Sequence, residues 1–250
     1  MRHAVADGQF FLCYQPIVEL ASGRVRKAEA LIRWSHPQRG IVSPSEFIPI
    51  AEETGLICQI GNWTFQQAAK QLLVWQASID PGFQITINKS PVQFRNERDS
   101  HRDWRDQLQA LNLAGNSIVI EITEGLLLEA SGSVAEQLLA FRDAGIQVSL
   151  DDFGTGYSSL SYLKKFDIDY IKIDQSFVRN LAAGSDDMAL CEAIIVMAHK
   201  LGIRVVAEGI ETGNQCELLA AAGCDYGQGY LFARPLPAAD FERLLVETAN

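Results

Sequence analysis

Asn88, Glu121, the adjacent pair Asp151-Asp152 and Glu208 stand near the C-terminal ends of four runs that read as β-strands. Lys172 closes a fifth such run, and Glu29 lies within an earlier one. If these strands converge, five carboxylates and one amide share a small volume. Carboxylates so placed repel one another, and several must hold protons unless a cation intervenes. The donors are all oxygen, with no His or Cys, which suits Mg²⁺, Mn²⁺ or Ca²⁺ better than structural zinc. Adjacent aspartates suit two neighbouring ions, one carboxylate bridging. Two cations about 3.5–4 Å apart can activate a water and stabilise the leaving oxygen of a phosphodiester. Lys172 would add a positive donor near the attacking water or a phosphate oxygen. A lyase that abstracts a proton beside a carboxylate uses similar groups, so these residues alone leave both chemistries open. Each also has a structural reading: salt bridges for Glu29 and Glu208, a turn cap for Asn88, a strand exit at Asp151-Asp152-Phe153-Gly154. Their repetition at successive strand ends argues for a site.

The elements that must position them follow from periodicity. Phe10–Glu19 and Arg24–Trp34 read as strands separated by a turn too short for a crossover, hence an antiparallel hairpin. Helical spacing covers 44–53, 62–77 and, more loosely, 92–113, with strand QITIN ending at Asn88 between the last two. Strands at 117–123, 146–151, 169–174, 203–208 and 226–232 then alternate with helices near 133–144, 158–164, 187–201, 213–222 and 238–248. About eight strands in 250 residues predict an α/β fold, a modified (β/α)8 TIM-like barrel opened by an antiparallel hairpin. A doubly wound open sheet is the alternative. In a barrel the strand ends named above meet at one mouth.

Composition narrows the partners. With 48% hydrophobic residues and 9% aromatic, the chain is not disordered. A net charge of −10 argues against binding duplex nucleic acid through phosphate neutralisation. It leaves room for a small phosphorylated ligand, because a bound cation inverts the local field. No run of apolar residues is long enough to span a membrane, and the first ten residues lack the apolar centre of a signal peptide. The five cysteines are scattered with no C-x-x-C pair, as expected of free thiols in a cytoplasmic protein. His101-Arg102-Asp103 and Asp152-Phe153-Gly154 imitate kinase signatures, but Leu108 stands where a kinase needs Asn. Gly154-Thr155-Gly156 begins like a dinucleotide fingerprint, but Ser159 holds its third glycine position; a loop over the metal site is expected instead.

Ordered blocks run from Phe11 to Pro235: YQPIV at 14–18, EALIRW from Glu29, NKSPVQF at 88–94, EITE at 121–124, DDFGTGYSSL at 151–160, IKID at 171–174, AEGIE at 207–211 and QGYLFARP at 228–235. Together they resemble the EAL family of cyclic-di-GMP phosphodiesterases. The resemblance implies hydrolysis of cyclic di-GMP to linear 5′-pGpG with Mg²⁺ or Mn²⁺, two ions expected. It implies Glu29, Asn88, Glu121, Asp151, Asp152 and Glu208 as metal ligands. Lys172 would contact the nucleophilic water, Glu208 help deprotonate it, and Gln228 complete its surroundings. Gln15, Arg33, Asp174 and Glu211 would contact substrate, Arg33 through its forked donors. Glu124 would anchor the DDFG-containing loop, which also shapes a homodimer surface. Lys89 and Arg26-Lys27-Ala28 depart from the family pattern without removing a chemical group. Residues 1–250 are read as a single EAL domain, a module excised from a longer chain with a sensory or GGDEF domain upstream. A catalytically silent receptor for cyclic di-GMP is the alternative; such receptors lose metal carboxylates, and none is missing here.

Overall fold

Strand β1 (Phe10–Glu19) turns at Gly23, whose φ of +69° is the left-handed geometry that favours glycine, and returns as β2 (Arg24–His36) in the antiparallel pairing expected. A computed structural model of the chain describes residues 1–95, 100–128, 132–154 and 160–248. Beyond the hairpin come β3 (Gly40–Val42), α1 (Pro44–Glu53), α2 (Ile57–Ser78), β4 (Gln84–Asn88), α3 (Pro91–Arg95), α4 (Ser100–Ala110) and β5 (Ile118–Thr123). Next are α5 (Glu124–Leu128), α6 (Gly132–Asp143), β6 (Gln147–Phe153), α7 (Leu160–Lys165), β7 (Tyr170–Ile173) and α8 (Gln175–Arg179). Then follow α9 (Asp186–Lys200), β8 (Arg204–Ala207), α10 (Gly213–Ala221), β9 (Tyr226–Gly227), β10 (Leu236–Pro237) and α11 (Ala238–Thr248).

The strands close in the order β1-β9-β8-β7-β6-β5-β4-β2 and back to β1, a barrel of eight, with β3 and β10 as appended edges. From β2 through β9 the neighbours are parallel; β1 alone runs against both of its neighbours. The closed barrel agrees with the sequence and excludes the open sheet. Beyond shifts of a residue or two at element ends and the unanticipated short elements β3, α5, α8 and β10, three ranges differ from expectation. The 226–232 strand shrinks to Tyr226–Gly227, because Gly229 lies so close to the backbone of Ile210 that a Cβ there would meet its carbonyl oxygen at 2.1 Å. The chain turns away at that contact, with Ile210 N donating to Gln228 O and Leu231 N to Ile210 O. The 92–113 helix is two helices, the first opened by Pro91. Helix α2 starts at Ile57 rather than 62, just after Gly55 (φ +73°) ends the preceding turn.

Side chains on a strand alternate between faces. On the barrel this places Gln15, Glu29, Asn88, Glu121, Asp151, Lys172, Glu208 and Gln228 in one inward register, and residues two positions away in a second. The second register is Lys27, Thr86, Val119, Ser149, Tyr170, Val206 and Tyr226, plus Ile17 on the reversed β1. Ile17, Val119, Tyr170, Val206 and Tyr226 form an apolar cluster inside the barrel, and the first register lies towards the mouth above it. Outward residues meet the helices. Phe65, Ala68, Ala69, Leu72 and Trp75 share one face of α2 and are fully buried. Phe65 stacks on Trp104 at 4.4 Å, and Trp75 on Phe241 at 4.9 Å with its Nε1–H on Glu242. No described helix is long and apolar enough to cross a membrane. Replacing Trp75 by Ala should cost about 3–5 kcal/mol, read by urea denaturation, because it removes a whole buried ring and leaves Glu242 Oε1 with Gln71 as its remaining donor. A loss below about 1 kcal/mol would contradict this account of the core.

Candidate metal centre

The barrel turns four strand ends inward and brings their carboxylates together around one amine. Lys172 Nζ lies 2.5 Å from Glu208 Oε1, 2.6 Å from Glu121 Oε1, 3.5 Å from Glu29 Oε2 and 3.6 Å from Asp151 Oδ1. Lys172 and Glu121 are each 2% exposed. Burial works against the Lys172 charge, but Glu121, Glu208, Glu29 and Asp151 outweigh it and hold the ammonium well above its usual range. The acids show the converse. Burial and then Glu29 push Glu121 well up despite Lys172. Burial pushes Glu208 to about 7, against the pull of Lys172 and with Asp151 adding to the rise. One ammonium does not neutralise the cluster.

Asp151 and Asp152 require a local irregularity, since neighbours on a regular strand face opposite ways. The β6–β7 register slips between Leu150 and Phe153, and Asp152 adopts φ +55°. Left-handed backbone at a non-glycine residue is costly and concentrates at functional sites. The slip lets both aspartates reach one side. Burial, then Asp151 and Asp174, raise Asp152.

Oxygen atoms of Glu29, Glu121 and Glu208 lie within 4.8 Å of one another, and so do those of Asp151, Asp152 and Glu208. Glu208 belongs to both sets. Asn88 donates from Nδ2 to Glu29 Oε1 at 2.7 Å, which leaves its carbonyl oxygen as a further donor atom. Asp151 Oδ1 is a buried acceptor without a hydrogen bond among the described residues. An all-oxygen, overcharged set with an orphaned acceptor fits hard divalent cations.

Two cavities flank the cluster. One of about 300 Å³ is lined by Arg33, Glu52, Asn88, Lys89, Glu121 and Asp151 among others. The other, about 200 Å³, is lined by Gln15, Glu29, Glu208, Glu211, Gln228 and Tyr230 among others. Gln228 donates to Glu29 Oε2 at 2.7 Å and to Gln15 Oε1 at 3.0 Å, so the amides buttress the carboxylate. Arg33 and Glu211 thus stand in opposite cavities. Asp174 lines neither; its carboxylate caps α8 by accepting from Ser176 N at 3.0 Å, beside Asp152. Glu124, 6% exposed, has no hydrogen-bond partner for either oxygen among the described residues. Residues 155–159 of the expected loop lie outside the described residues.

Some structure around the site was not anticipated. Ser90 Oγ donates to Glu52 at 2.7 Å on the wall of the larger cavity. Lys89 is buried with Nζ 4.1 Å over the Trp104 ring, and burial lowers it to about 7. Tyr230, half exposed, carries the Arg234 guanidinium 4.1 Å over its ring. Lys27 lies two residues before Glu29 on the same strand face and is buried.

A family model described as the EAL domain matches residues 1–235. The chain is 41% identical over 254 residues to the bifunctional diguanylate cyclase/cyclic di-GMP phosphodiesterase MucR of Pseudomonas aeruginosa, covering all of this chain and 36% of that protein. It is 39% identical over 245 residues to the cyclic di-GMP phosphodiesterase PdeR of Escherichia coli, covering 97% of this chain and 36% of that one. The chain therefore spans about a third of the length of these relatives. Among solved structures, the PaMucR phosphodiesterase in complex with c-di-GMP superposes with a TM-score of 0.90 at 38% identity, covering 96% of this chain and 97% of that one. The EAL domain of Mycobacterium smegmatis DcpA gives a TM-score of 0.79 at 31% identity, covering 96% and 98%.

The raised acid at Glu208 has a measurable consequence. With divalent ions chelated, the folded chain binds a proton there that the unfolded chain, at an ordinary 4.5, has released. Stability therefore falls as pH rises from about 4.5 to about 7 and stays low above. Thermal unfolding in chelator should occur at lower temperature near pH 8 than near pH 5.5, and Glu208→Gln should narrow that difference. An identical pH dependence in both proteins would contradict the assignment.

Proposed function

The chain belongs to the EAL domain family, and from that membership and the geometry of its site we propose that it is a metal-dependent phosphodiesterase hydrolysing cyclic di-GMP to linear 5′-pGpG. The observation that carries this reading is the pair of carboxylate sets sharing Glu208 at the barrel mouth, with a cavity on either side. Glu29, Asn88, Glu121, Asp151, Asp152 and Glu208 would hold two Mg²⁺ or Mn²⁺ ions, which when bound supply water activation and neutralise charge at the phosphate.

The chain's own groups do the rest. Lys172, already against the carboxylates, donates to the attacking water and holds it in place. Glu208 takes up the proton the water loses. Gln228 fixes Glu29 and, with Gln15, lines the cavity that receives one half of the cyclic dinucleotide. Arg33 offers its fork to a phosphate oxygen from the other cavity. Glu211 contacts substrate beside Gln228. Asp174 contributes through Asp152 and the start of α8. The buried Glu124 anchors the DDFG-containing loop and couples it to a homodimer face. A sensory or GGDEF module in the longer protein sets the activity, in the cytoplasm, where the five free thiols stay reduced.

Chromatography of cyclic di-GMP incubated with the protein and Mn²⁺ tests the proposal. A linear dinucleotide should accumulate, and chelation should stop it. Glu29→Ala and Asp151→Ala should each lower turnover by at least about a thousandfold. Near-normal turnover in either variant contradicts the ligand assignment. Tight stoichiometric binding with intact cyclic dinucleotide recovered would turn the reading to a silent receptor.

A further inference from the structure

The barrel axis holds a second buried lysine that the reaction leaves unused. Lys27 is 3% exposed, with Nζ 3.5 Å from the Tyr170 ring centroid and 4.6 Å from that of Tyr226. Nζ has no hydrogen-bond partner among the described residues. The nearby carboxylates are otherwise engaged: Asp169 accepts from Val148 N and Gln147, and Asp225 from Val205 N while pairing with His199. Above Lys27, Glu121 uses Oε1 for Lys172, while Oε2 is buried and unpartnered. A buried donor and a buried acceptor left unmade each destabilise a fold.

Both residues line the same enclosed space. It lies on the barrel axis, between the two inward registers, with Thr86, Ser149 and Lys172 also in its wall. The space open to the centre of a water-sized sphere is about 10 Å³. That is about the room one water needs, and a buried water requires two to four polar partners, which this wall provides. We propose that this cavity is a built site for one water, which accepts from Lys27 Nζ and donates to Glu121 Oε2. Lys27 is thereby a positioning residue, fixing through that water the carboxylate that faces the cations. The inference deepens the proposed metal-dependent reaction and rests on its ligand set.

The wild-type protein, crystallised to atomic resolution, should show one density peak within hydrogen-bonding distance of both Lys27 Nζ and Glu121 Oε2. A dry cavity overturns the proposal. Lys27→Met should remove the peak and weaken Mn²⁺ binding about tenfold, read by electron paramagnetic resonance of free Mn²⁺. Lys27→Gln keeps a donor and should hold Mn²⁺ affinity within about threefold of wild type. A purely structural lysine would shift the unfolding temperature in both variants and leave Mn²⁺ affinity unmoved, which also overturns the proposal. If Lys27→Met does not fold, the wild-type map decides. Cation binding is measured without nucleotide. Failure to hydrolyse cyclic di-GMP would therefore count against the proposed reaction and leave this result standing.

Discussion

Crowded negative charge is the constraint from which the rest of this structure follows. Glu29, Glu121, Asp151 and Glu208 all press on one buried ammonium, and two of these acids are pushed far from their ordinary range. Such a cluster is unfavourable within the protein alone, because burial penalises every charged form. A closed barrel makes it tolerable: the carboxylates are tied to strands whose outward faces bury Phe65, Ala68, Leu72 and Trp75's surroundings in a large core. Core burial offsets the electrostatic disadvantage at the mouth, and on the proposed function the same disadvantage would become affinity for hard cations.

Much of this was legible from residue types and spacing. The barrel followed from eight strand-like runs and one hairpin too tight for a crossover, and β1, β4, α1 and α11 fall where periodicity put them. The clustered carboxylates showed because acidic and amide residues recur at the ends of successive strands, although each alone has a structural reading. What escaped the reading depended on contacts distant in sequence. The strand after Tyr226 stops early because Gly229 meets Ile210, nineteen positions back. Lys27 shows the pattern Glu29 shows, but a lysine inside an apolar strand reads as an edge residue until the barrel closes around it.

The two cavities lie on opposite sides of the carboxylates, and their walls differ. Arg33 and Glu52 mark one, Gln15, Glu211 and Tyr230 the other. A ligand reaching into both must pass its centre over Glu29, Glu121, Asp151 and Glu208. On the proposed function, a cyclic dinucleotide laid across this mouth would be held by its two ends with a phosphate over the carboxylates. Selectivity belongs to the walls and chemistry to the floor.

The reversed direction of β1 has a consequence for attachment. Phe10, its first residue, pairs with Trp34 near the C-terminal end of β2, on the rim where the carboxylates open. An ordinary all-parallel barrel receives its chain at the opposite rim. Here a tether joined ahead of β1 emerges beside the mouth, so a fused partner or a fluorophore at that end is delivered to the side where ligands enter and leave.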